Sequence, residues 1–111
     1  MKLNILGTDY ELSIRLRKDD PKLQEYNDGY TDTTTKELVV ENMSLKEGAP
    51  GMKRDLKSYE KQVIRHEIIH GFLFESGLDA PAGWPASEEI VDWFAIQLPK
   101  IAKICQEADA M

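Results

Sequence analysis

The chain has 111 residues, 41% of them hydrophobic, enough for one modest core and too few for two domains of ordinary size, so residues 1–111 are read as a single domain. With 20 acidic residues against 14 basic ones, the formal net charge is -6, and no concentrated run of Lys or Arg is present to neutralise phosphates, which argues against nucleic acid or an anionic membrane as a partner. Cys105 is the one cysteine, so there is no intrachain disulfide framework, and a reducing, cytoplasmic setting is expected. The opening MKLNILGTDYEL is broken by Asn4 and Gly7 and resembles neither a signal peptide nor a membrane span.

Lys2 to Leu6 and Tyr10 to Leu16 alternate polar and apolar side chains around Gly7-Thr8-Asp9, the pattern of two strands joined by a hairpin turn. The polar segment Arg17 to Asn27 is read as a loop, in which Pro21 either opens a short helix or bends the chain. Tyr30 to Thr34 and Glu37 to Glu41 flank Thr35-Lys36 and predict a second hairpin. Residues 44–54 carry two glycines and a proline and predict a connecting loop. Asp55 suits the cap of a helix on which Leu56, Tyr59, Val63, Ile64, Glu67 and His70 recur at helical spacing to about Glu75, with Gly77 ending it. After a loop from Leu78 to Ala86, Ser87 suits the cap of a helix beginning Glu88-Glu89. Pro99 lacks an N–H and costs a helix interior about 3 kcal/mol, so a kink or break near Gln97 is expected, with Lys100 to Ala110 forming a short last helix. The expected fold class is α+β: a small N-terminal antiparallel or mixed β-sheet, then an active-site helix and a C-terminal helix pair.

Both histidines fall in Arg65-His66-Glu67-Ile68-Ile69-His70. On a helix, positions four apart lie about 40° apart around the axis and about 6 Å along it, so His66 and His70 can converge on one ion. Glu67 is turned about 100° from His66, which lets its carboxylate flank a metal instead of coordinating it. The plainer reading is a half-buried helical face that happens to carry two histidines. A catalytic zinc takes three protein ligands and keeps one position for water. The chain has no other histidine, so a third ligand has to be Asp, Glu or Cys. Cys105 lies beyond Pro99, Glu75 is about 140° round the helix from His70, and Asp79 reaches back only if its loop curls tightly. Glu88 is better placed, because a second helix packed on the first presents it to the metal while Asp92, one turn later, accepts a hydrogen bond from the free N–H of a ligating histidine. Glu89 competes with it, and acidic residues are in any case favoured in a first helical turn by the macrodipole.

HEIIH followed, 18 residues after its last His, by Glu88 of Glu-x-x-x-Asp resembles the gluzincin pattern of thermolysin-type zinc peptidases. Asp92-Trp93-Phe94-Ala95 with Pro99 after Leu98 is similar to the helix that follows in ImmA/IrrE-type metallopeptidases of mobile elements, and the length is similar to that of the single-domain minigluzincins. The whole looks like small phage or prophage proteins of Gram-positive bacteria. The resemblance covers roughly residues 28–99, and its HExxH core is the specific part. It implies a minimal zincin-like domain in which His66, His70 and Glu88 bind Zn2+, Glu67 is the general base for zinc-bound water, Asp92 orients His66, and the substrate is a peptide or protein. No further histidine is present to stabilise an oxyanion; Tyr30 and Tyr59 are candidates by residue type, and Trp84 is a candidate rim for a substrate groove. A non-catalytic zinc-bound interaction module and a metal-free helix-and-hairpin domain are the alternatives.

Overall fold

The computed structural model describes residues 1–25, 28–46, 51, 53–78 and 87–111. Strands β1 (Lys2–Ile5) and β2 (Thr8–Arg15) form an antiparallel hairpin. Its turn is Leu6-Gly7, both at positive φ, one residue earlier than the alternation alone suggests. Where a loop was expected, a 3-10 turn (Arg17–Asp19) leads into helix α1 (Pro21–Glu25). Pro21 thus opens a helix, because the buried Asp20 carboxylate accepts the N–H groups of Lys22 and Leu23 and is held in turn by Arg15 and the Tyr30 hydroxyl.

Strands β3 (Gly29–Asp32) and β4 (Glu37–Glu41) make the second hairpin. β3 ends at Asp32, two residues before the β-rich run does, since the Asp32 side chain accepts the N–H groups of Thr34 and Thr35 and turns the chain. β4 lies parallel to β2 in a mixed four-stranded sheet of order β1-β2-β4-β3, which leaves β3 at an edge. A further 3-10 turn, Met43–Lys46, opens the segment expected to be a connecting loop, and much of the remainder lies outside the described residues.

Helix α2 (Leu56–Glu75) starts where Asp55 accepts the N–H of Ser58 at 3.0 Å. It stops at Gly77, whose φ of 84° lets the N–H groups of Gly77 and Leu78 close back on the carbonyls of Phe74 and Leu73. Its buried stripe Val63, Glu67 and Gly71, spaced by four residues, lies on the sheet. Val63 packs with Leu56, Val40 and Met43, whereas Ile68 packs with Ile5, Tyr10 and Leu38. Gly71 permits this approach, since a Cβ there would sit 2.8 Å from Cδ1 of Ile5.

The second long helix, α3 (Glu88–Glu107), corrects one expectation: it runs unbroken through Pro99, so one helix stands where a pair was expected. Pro99 cannot donate to the carbonyl of Ala95 one turn back, but the Arg65 guanidinium of α2 donates to that oxygen from Nε at 2.6 Å. The orphaned acceptor is therefore satisfied from the neighbouring helix. α3 ends before Asp109, which lies at a φ of 55°. Among the described residues, no helix is long and apolar enough to cross a membrane.

Candidate metal centre

The Nε2 atoms of His66 and His70 face each other across 3.1 Å. The Glu88 carboxylate, in the first turn of α3, meets both: one oxygen is 2.8 Å from His66 Nε2 and the other 3.2 Å from His70 Nε2. His66 Nδ1 lies 2.7 Å from Asp92 Oδ1. A carboxylate only accepts, so His66 Nδ1 donates to Asp92 and its Nε2 is the ring atom directed at Glu88 and His70. Lone pairs and carboxylate oxygens at such distances repel unless a proton on one of the Nε2 atoms or a cation lies among them. Two zinc ligands with bonds of about 2.0–2.1 Å in a tetrahedron are about 3.3 Å apart, close to the three separations seen. Two imidazole nitrogens with a carboxylate oxygen are also a donor set that zinc favours. The residues therefore fit a divalent zinc ion.

Glu67 sits behind this group, 4% exposed, in the α2 stripe that faces the sheet. Its carboxylate lies in the same compact set of potential ligands as the two rings, within 4.8 Å. The Thr31 hydroxyl of β3 donates to Glu67 Oε1 at 2.8 Å and also reaches its backbone oxygen at 3.1 Å. Gly29, two residues earlier on the same face of β3, makes room: a Cβ there would lie 2.9 Å from the Val39 carbonyl oxygen and 3.1 Å from Glu67 Oε2. Burial pushes the Glu67 carboxyl up to about 7; His66 and the Thr31 hydrogen bond oppose that shift, and the charges of Glu88 and Asp92 add to it.

These groups line a cleft of about 670 Å³ between α2, α3 and β3, with Tyr59, Gln62 and Phe74 on its walls. The structure thus brings together His66, Glu67, His70, Glu88 and Asp92. Glu89 is exposed, and it is Glu88 that faces both rings. Glu75 is engaged elsewhere, accepting from Thr8, Tyr10 and Lys36. Cys105 lies 17 residues beyond Glu88 on α3, about 25 Å along a straight helix. The Tyr30 hydroxyl donates to Asp20 at 2.8 Å, and burial with that bond pushes it up to about 12. The Tyr59 hydroxyl donates to Asp28, and burial likewise raises it. Both phenols line the cleft, each donating to a carboxylate other than Glu67, Glu88 or Asp92. Asp79 and Trp84 lie outside the described residues.

Two participants escaped sequence reasoning, Thr31 and Gly29. The signal was the period of two in Gly29-Tyr30-Thr31, which puts both on one face of a strand; which face meets Glu67 depends on how the sheet packs. Comparison with known proteins gives no match to a family model, a curated protein or a solved structure.

Proposed function

We propose that this chain is a zinc-dependent metallopeptidase of gluzincin type, with His66, His70 and Glu88 as the metal ligands, Glu67 as general base and Asp92 orienting His66. The observation that carries the reading is the convergence of both Nε2 atoms on the Glu88 carboxylate beside a buried carboxyl whose pKa is raised to about 7. When bound, zinc supplies the Lewis acidity that acidifies water and polarises a peptide carbonyl. Glu67, as the carboxylate that a nearby cation favours, takes a proton from the attacking water and returns it to the leaving amine. Thr31 fixes the carboxylate that does so. Edge strand β3 offers an extended peptide main-chain hydrogen bonds along one wall of the cleft. The proposed substrate is a peptide or protein, met in a reducing, cytoplasmic setting suited to the lone Cys105 thiol.

The test is metal analysis of gently purified protein together with digestion of a peptide library, with and without added zinc. The expected result is one zinc per chain and cleavage that falls by about 100-fold or more in Glu67→Gln while zinc is retained. Cleavage that survives that substitution would remove Glu67 as the base. Zinc retained with no cleavage by the wild type would favour the non-catalytic zinc-bound module.

A further inference from the structure

The third proposed ligand comes from a helix different from the one that carries the histidines, so its placement depends on how α3 is set against α2. Val91 and Ala95, fully buried on α3, fill the space between the helices, but apolar burial is non-directional and tolerates rotation and sliding. The tolerance of a metal site is small. A side-chain tip stands about 5–6 Å from a helix axis, so rotating α3 by about 10° moves the Glu88 carboxylate by about 1 Å, several times the ±0.2 Å that a zinc bond length allows. Something directional has to fix the phase of α3.

Arg65 Nε supplies such a tie, 2.6 Å from the carbonyl oxygen of Ala95. That oxygen is available because Pro99 has no N–H to give it. Arg65 immediately precedes His66 on α2, and Ala95 lies one turn beyond Asp92 and two turns beyond Glu88 on α3. The bond therefore pins α3 just past the two carboxylates that meet the rings. It is charge-assisted, and its acceptor belongs to a buried residue, both of which strengthen it. We infer that Arg65 and Pro99 form a matched positioning pair: Pro99 frees one backbone carbonyl of α3, and Arg65 uses it to hold Glu88 and Asp92 in register with His66 and His70. Arg65 is a positioning residue in this account, acting through the helix it holds. The inference rests on the metal reading of the site.

Two roles for the bond can be separated. If Arg65 merely satisfies an orphaned oxygen, restoring the missing N–H with Pro99→Ala repairs everything that Arg65→Met breaks. If Arg65 sets the phase of α3, restoring the N–H repairs the helix but not the tie between helices. The experiment measures zinc affinity by competition with a chromogenic chelator, and thermal unfolding of the metal-free protein, for the wild type, Arg65→Met, Pro99→Ala and the double variant. Met keeps most of the apolar stem of Arg. Arg65→Met is expected to weaken zinc binding about tenfold and to lower the melting temperature by on the order of 5 °C. In the double variant the melting temperature recovers while the affinity stays about tenfold low. Should Arg65→Met not fold, the double variant carries the affinity measurement. Wild-type affinity in Arg65→Met, or affinity that recovers together with stability in the double variant, overturns the positioning role. A wild type that binds no zinc instead overturns the metal reading, and the melting temperatures then still decide whether Arg65 pairs with the carbonyl that Pro99 frees.

Discussion

The two contacts made by α2, one with β3 and one with α3, hold the two halves of the candidate site by opposite means. Against β3, Glu67 is buried, its room set by Gly29 and one oxygen fixed by Thr31. Against α3, the Glu88 and Asp92 side chains are more than half exposed, at 64% and 56%, and meet the rings through charge. The first half is shaped by packing and does not depend on a metal. The second is a cluster of acceptors that the proposed cation would draw together, beside the helix that Arg65 bonds at Ala95. The proposed base is thus pre-organised, whereas the proposed third ligand is held by interactions that solvent and ionic conditions weaken.

The largest test of that contrast is pH. Glu67 has a folded pKa raised from its usual 4.5 to about 7, so between these values the folded metal-free chain binds more protons than the unfolded one. Its stability is expected to fall as pH rises through that window and to level off above it, by roughly 3 kcal/mol in total. Urea unfolding of metal-free protein from pH 4.5 to 8 checks this, and Glu67→Gln should remove that part of the slope. Saturating zinc should also flatten it, because a nearby cation favours the carboxylate.

Gly29→Ala attacks the packed half. The added Cβ meets the Val39 carbonyl, which is backbone and yields little, and the Glu67 carboxylate. A loss of about 2 kcal/mol in stability is expected, measured by denaturant unfolding, with cleavage reduced more than zinc affinity because both rings and Glu88 are untouched. Asp92→Asn probes the electrostatic half. It removes the charge that holds His66 Nδ1 and should weaken zinc binding about tenfold with little change in metal-free stability, read by chelator competition. The smallest effect is expected of Glu89→Gln: zinc affinity and stability should both stay within about 0.5 kcal/mol of wild type. A large loss there would move the third ligand from Glu88 to its neighbour and break the assignment made from the geometry.

Much of this arrangement was legible beforehand. Local chemistry determined the hairpins, the capped helix from Asp55 to Gly77 and the start of α3 at Ser87, because turn residues, caps and periodicity act within a few positions of the chain. The spacing of His66 and His70 is likewise local, since helical geometry alone puts them on one side. The short helix at Pro21 does not stand out in the sequence, because its cap, Asp20, is stabilised by Arg15 and Tyr30, which come from strands elsewhere in the chain.

The sequence by itself determined which residues could share a metal and which helix would carry them. Only the tertiary structure decided that Glu88 and not Glu89 faces the rings, that Thr31 and Gly29 define the place of Glu67, and that Pro99 leaves α3 whole. The reason is the same in each case. Helix and strand signals are carried by neighbours along the chain, whereas the partner of a buried carboxylate, or of a carbonyl freed by proline, is supplied by a different element, and the packing of those elements alone fixes which side chain comes within hydrogen-bonding distance.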